Sequence, residues 1–201
     1  KQLSEKGRLT VLQAVEKQVA DYYELVGVDE NDPVQSLRRA EDAIKEGDTA
    51  MELADFKAAQ SGYFKALKIT RQLVERDANN NDWQFRLSVS LTKLGDAQMA
   101  QDDFQRATAN YGEGLKLRRQ LVAHDPGNKE WQLGLSVSLD KMGDLSTKQG
   151  NRTDAAANYR EAQAILKQLD AADPGNDVLL RALSTSFSKI ADNQKAQKDL
   201  K

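Results

Sequence analysis

Four lysines and four aspartates recur in step along this chain and are the side chains best placed to do chemistry. Lys45, Lys93, Lys141 and Lys189 stand 48 residues apart, and Asp48, Asp96, Asp144 and Asp192 each follow one of them by three positions. Residues three apart are neighbours on a helix surface, so the spacing predicts parallel ladders of positive and negative charge. Ladders of this kind hold a ligand by charge and do not break bonds. Such a face favours an extended peptide with mixed charge or exposed backbone. The competing reading is that each lysine pairs with an aspartate of its own or the next unit and serves stacking, at about a few tenths of a kcal/mol per exposed pair. Positions that vary between units are the better candidates for specificity. These are Ile44, Thr92, Asp140 and Ser188 beside the lysine, and Met51, Met99, Thr147 and Lys195 farther along. The candidate partner-binding set is therefore the eight ladder residues with Thr92, Met99 and Asp140.

Other chemistry finds no footing. The sequence shows no nucleophile beside a base, no Gly-rich phosphate loop and no metal-ligand spacing. It contains no cysteine, which removes disulfides, thiolate metal sites and thiol catalysis and leaves the redox compartment open. The single histidine, His124, has no second histidine or cysteine to share a metal and reads as a solvent-facing loop residue beside Asp125. No catalytic, cofactor-binding or metal site is expected, and no enzyme. The 29 basic and 31 acidic side chains nearly cancel, for a net charge of -2 without blocks of one sign. That is not the footprint a phosphate backbone requires, so nucleic acid is not an expected partner. No stretch approaches the roughly 18 apolar residues that span a bilayer, and no signal-peptide pattern is visible. The expected setting is the cytoplasm, with no membrane partner.

The elements that must position the ladders repeat with the same period. Leu-Ser-Val-Ser-Leu-Thr-Lys-Leu-Gly-Asp from Leu87 returns 48 residues later from Leu135, and again in looser form from Leu183. A fixed period of this size signals a solenoid whose units bury their apolar faces only against neighbours. Turns at Asp29-Glu30-Asn31-Asp32, Asp77-Ala78-Asn79-Asn80, Asp125-Pro126-Gly127-Asn128 and Asp173-Pro174-Gly175-Asn176 coincide under that shift. Asp32, Asn80, Asn128 and Asn176 are N-cap types, the first followed by proline at the first helical position. Helices are expected to start at about 33, 81, 129 and 177. Midway through each unit Asp55, Asp103, Asn151 and Asp199 offer a second set of caps, so each unit is a hairpin of a helix A and a helix B.

Apolar residues fall on one stripe of each helix. On A helices the stripe is Leu87, Leu91, Leu94; Leu135, Leu139, Met142; and Leu183, Phe187, Ile190. On B helices it is Tyr63, Ala66, Ile69, Leu73; Tyr111, Gly114, Leu117, Leu121; and Tyr159, Ala162, Ile165, Leu169. The earliest helix A is a misfit, because Arg39 and Glu46 stand where later units carry leucine; Leu37, Ile44 and Met51 then supply a rotated stripe. Trp83 and Trp131 begin equivalent A helices and serve either as edge anchors or as packing against adjacent B helices near Leu73 and Leu121.

These residues resemble the tetratricopeptide repeat (TPR), with its signature W-x2-L-G-x2-Y, A-x3-F and P over about 34 residues. The matching residues are Leu91, Leu94, Gly95, Ala107 and Tyr111; Leu139, Met142, Gly143, Ala155, Tyr159 and Ala162; and Gly47, Ala59, Tyr63 and Ala66. Small residues at these points let helices A and B approach, and the tyrosine fills the gap between units. The chain departs in its period of 48, which makes it an elongated variant, and in Ala50, Gln98, Ser146 and Gln194 where the motif has a helix-A tyrosine.

The resemblance implies an all-α, right-handed superhelical solenoid of antiparallel hairpins with about seven main helices. It implies a single array over residues 1–201: a lone helix B over 7–28, full hairpins over 33–76, 81–124 and 129–172, and a lone helix A over 177–198. The ends fall inside repeats, so a fragment of a longer protein is expected. It also implies that helix A lines the concave groove, and hence a non-enzymatic scaffold binding a peptide or partner domain. The alternative is an intramolecular regulatory, spacer or self-assembly region of a larger protein, with self-association through open array ends. Family members that grip a C-terminal carboxylate carry asparagine where this chain has aspartate, so that mode of binding is not expected.

Overall fold

The computed structural model describes Ala14, Val15, Lys17, Gln18 and residues 32–198. The helix expected over 7–28, with Tyr22, Tyr23 and Leu25, lies almost wholly outside the described residues, as does the cap expected at Asp199. Seven helices and no strand occur among the described residues. They are α1 (Pro33–Glu52), α2 (Phe56–Arg76), α3 (Asn81–Met99), α4 (Phe104–His124), α5 (Lys129–Lys148), α6 (Arg152–Ala172) and α7 (Asp177–Lys198). The chain divides into two compact units, Lys1–Asp103 and Phe104–Lys201.

Side-chain caps set the helix starts. Asp32 accepts from the amide of Val34, Asn80 from Trp83, Asn128 from Trp131 and Asn176 from Val178. Each bond satisfies one of the amides that a helix start leaves without an intrahelical partner. Asp55 and Asn151 do the same for α2 and α6 through Ala58 and Asp154.

The ends of α1, α3 and α5 share one turn. Ala54, Asp102 and Gly150 have φ of 57, 56 and 79°. The amides of Asp55, Asp103 and Asn151 bond back to the carbonyls of Ala50, Gln98 and Ser146, and those of Ala54, Asp102 and Gly150 to Met51, Met99 and Thr147. This is the Schellman pattern, which closes a helix through one left-handed residue. At Asp55 and Asn151 the residue that completes one helix end also caps the next helix.

In the first unit α1 packs on α2 and α2 on α3. The buried face of α1 is Ala40, Ala43, Gly47 and Ala50, in register with the stripes of the later units. Leu37, Ile44 and Met51, expected as a rotated stripe, are half-buried beside this face of small residues. The reason is close approach: a Cβ added at Gly62 of α2 would lie 2.8 Å from the carbonyl oxygen of Ala43 and 2.9 Å from the amide nitrogen of Gly47. Small residues on both helices replace the leucines used elsewhere, and Ala40, Ala43 and Ala66 form a core flanked by Ile44 and Ile69.

In the second unit α4, α5, α6 and α7 pack successively. Leu135, Leu139 and Ala162 form one core, with Leu115, Val122 and Ile165 against it. Leu166, Leu169, Leu179 and Leu183 form another. Phe187, expected in the buried stripe, is instead 53% exposed, and what stands over its ring is Lys167 Nζ of α6, 5.2 Å from the centroid. Met142, Ile190, Ile69, Leu117 and Ile165 are half-buried. Trp83 and Trp131 are half-buried too, and His124 is exposed as the last residue of α4 and not a loop residue.

Candidate partner-binding face

The ladder positions are built from behind by a tyrosine. Tyr63 of α2 is buried over Gly47 of α1, where an added Cβ would stand 2.5 Å from the ring carbon Cδ1. Only the missing side chain admits the ring. From that seat the Tyr63 hydroxyl donates to Asp48 Oδ1 at 2.6 Å. Lys93 Nζ, arriving on α3, donates to the same oxygen at 2.7 Å.

The second unit repeats the arrangement. Tyr159 of α6 covers Gly143 of α5, with an added Cβ 2.6 Å from its Cδ1. Its hydroxyl donates to Asp144 Oδ1 at 2.8 Å and lies 3.2 Å from Thr147 Oγ1. Lys189 Nζ of α7 donates to Asp144 Oδ2 at 2.8 Å and stands 5.5 Å from the Tyr159 ring centroid. Burial, with the neighbouring aspartate, pushes both phenols well above their ordinary range. They stay protonated and remain donors.

The geometry of the two described Asp–Lys pairs is the one that the stacking reading expects. Each described Asp–Lys pair joins consecutive A helices of one unit, so it ties the stack. All four side chains also keep a quarter or more of their surface in solvent. Exposed pairs contribute roughly 0.2–1 kcal/mol, too little to be the main reason the units stack. Lys45 departs from the pattern and pairs with Asp42 on its own helix at 3.2 Å. Asp96 and Lys141 are half-buried and engaged in polar contacts, and Asp192 is exposed on α7.

The variable positions separate. Thr92 is buried and gives its hydroxyl to the carbonyl of Ser88 at 2.8 Å, while Met99 is half-buried. Asp140 is half-buried, with Oδ1 sealed from solvent and without a hydrogen-bond partner. Burial raises its carboxyl above the ordinary carboxylate range, Lys189 and Lys141 oppose the shift, and Asp144 adds to it. No group of three or more metal-ligating side chains occurs among the described residues, and none of their helices is long and apolar enough to cross a membrane.

The inter-helix hydrogen-bonded slots were not legible in the sequence. Thr70 donates to Ser90 Oγ at 3.3 Å across α2 and α3. The slot of Thr70 is occupied by Arg118 and Leu166 in the later B helices. Arg118 is buried and donates to the carbonyl of Gly134. The period was the available signal, since the three positions are 48 apart, but their types share no property.

No family model matches the sequence, and no curated protein matches it. Among solved structures, the apo form of RapI superposes with a TM-score of 0.63 at 10% identity, over 95% of this chain and 67% of its own. The yeast histone chaperone Hif1, described as a scaffold protein recruiting protein complexes to core histones, superposes with a TM-score of 0.57 at 13% identity, over 95% of this chain and 98% of its own. At these identities the likeness is one of fold. The chain has the all-α fold of TPR-like helical-repeat proteins.

Proposed function

We propose that this chain is a non-enzymatic protein-interaction scaffold, an elongated TPR-like array of 48-residue units that holds a peptide or partner domain on its A-helix face. The observation that carries the reading is the pair of Tyr–Asp–Lys sets, Tyr63–Asp48–Lys93 and Tyr159–Asp144–Lys189. Each fixes a half-exposed carboxylate and an ammonium on a rigid helix before any ligand arrives. A face already ordered loses little side-chain freedom on binding, where each mobile side chain would cost about 0.5–1.5 kcal/mol. The likeness in fold to a chaperone described as a recruiting scaffold points the same way. A regulatory or self-assembly role within a larger protein is favoured by one feature, the exposed apolar side chains Val178, Leu180 and Phe187 of α7.

The test is affinity capture with the wild-type chain and with a Lys93→Ala/Lys189→Ala variant, followed by titration calorimetry on the recovered partner. Binding weaker by about tenfold or more, with a melting temperature nearly unchanged as expected for exposed pairs, supports the reading. Recovery of nothing, or equal binding by both proteins, refutes it.

A further inference from the structure

One position on the A helices is filled by a different residue in each copy, and one copy is left unsatisfied. Positions 44, 92, 140 and 188 coincide under the 48-residue shift. Thr92 donates its hydroxyl to the carbonyl four residues back, Ser88, at 2.8 Å. Ser188 does the same to Ser184 at 3.2 Å. Ile44 packs on the Ala40, Ala43 and Ala66 core. All three residues suit a helix flank. Asp140 does not, because an ionised carboxylate has no proton to give the carbonyl of Ser136. Its Oδ1 is sealed without a partner, which leaves Oδ2 as the outward atom.

Lys189 and Lys141 favour its ionised form, but neither forms an ion pair with it among the described residues. The charged groups facing Asp140 are Lys189 from α7 and Asp144 and Lys141 on α5 itself. The Lys189 ammonium is already seated on Asp144 Oδ2 at 2.8 Å. Lys141 already has an interaction of its own. One turn before Asp140 on the same face, Val137 is 39% exposed. A carboxylate with an outward oxygen beside an apolar shelf matches the two parts of a long basic side chain, a charged head and a methylene stem.

We propose that Asp140 anchors an arginine or lysine side chain of the bound peptide, with the stem lying on Val137. This rests on the scaffold reading above and narrows its partner to one presenting a basic residue. The carboxylate that the fold leaves without an ion pair is paired by the ligand, and the fold gives up stability at this position for that contact.

The experiment pans a display library of random dodecapeptides against the wild-type chain and against Asp140→Thr, which restores the hydroxyl used at Thr92. The wild type is expected to select a pool enriched in Arg and Lys, and Asp140→Thr a pool without that enrichment. A synthetic selected peptide should lose about tenfold in affinity when its basic residue becomes alanine, and the same factor against Asp140→Thr. The two changes together should cost little more than either alone, since they remove one contact. The melting temperature of Asp140→Thr should be no lower than that of the wild type; Asp140→Asn replaces it in every arm if the threonine variant misfolds. Selection of peptides without basic enrichment, or unchanged affinity for Asp140→Thr, overturns this inference and leaves the scaffold reading standing. Selection of no peptide by the wild type overturns both.

Discussion

The α1–α2 and α5–α6 hairpins occupy equivalent places in their repeats and solve the same packing problem with different residues. On α1 the inner positions are Ala40, Ala43, Gly47 and Ala50; on α5 they are Ser136, Leu139, Gly143 and Ser146. Across from them Gly62 admits close approach in the first hairpin, while Asn158 takes that place in the third. Yet both hairpins keep the same Gly–Tyr–Asp arrangement, with a lysine from the next A helix. Core filling can vary because helix separation adjusts to side-chain volume. The tyrosine seat cannot vary in that way, since one ring must fit over one backbone and one hydroxyl must reach one carboxylate.

The largest effect should distinguish the two cores. Leu139→Ala removes a fully buried side chain and should destabilise by about 2–5 kcal/mol, read by denaturant unfolding. The equivalent Ala43→Gly has far less to lose and should cost about 0.5–1 kcal/mol. Equal losses would mean that both hairpins depend on the same packing and that the contrast is superficial.

The tyrosine seats should respond alike. Gly47→Ala and Gly143→Ala each place a methyl group within the ring and should cost about 1–3 kcal/mol as overpacking. A tolerated alanine at either site would show that the ring can move and that the shared arrangement is not a fixed seat.

A smaller, opposite-signed pair lies in the A-to-B turns. Ala54 and Gly150 both hold left-handed backbone, at φ of 57 and 79°. Ala54→Gly should stabilise by about 1 kcal/mol and Gly150→Ala should destabilise by about the same, from the cost of a Cβ in that conformation. Thermal midpoints of the two variants moving in the same direction would refute the shared turn.

The smallest effect separates Asp140 from Ile44. The Asp140 carboxyl is raised in the folded chain, so its contribution to stability is fully present below the unfolded value near about 4. That contribution is lost as pH rises through the raised value. The stability advantage of Asp140→Thr over the wild type should therefore narrow as pH falls from neutral toward about 4. Ile44→Thr, with no carboxyl to titrate, should show no such narrowing.

Much of this was legible in the sequence because the period aligned residues of like role. The caps Asp32, Asn80, Asn128 and Asn176 marked four helix starts, and Leu91, Leu139, Tyr63 and Tyr159 marked the buried stripes. The Lys–Asp ladder was visible, but not which aspartate each lysine would choose. On the sequence Asp96 lies three residues from Lys93; in space Lys93 reaches Asp48, 45 residues back. Nothing in the sequence singled out Arg118, whose charge would suit an exposed flank, yet it is buried and donates to the carbonyl of Gly134. Phe187 failed in the other direction, because apolar type says that a residue can be buried and not that its neighbour will bury it: the group over its half-open ring is the Lys167 ammonium.

By itself the sequence determined the helices, their turns and the register of the repeat, since caps, left-handed turn residues and a stripe of period 3.6 are local properties of the chain. Only the tertiary structure decided which charges meet, which small residues mark close approach and which carboxylate oxygens are sealed without a partner. Those outcomes depend on distances between helices, and helix separation is set by the volumes of many side chains packed together.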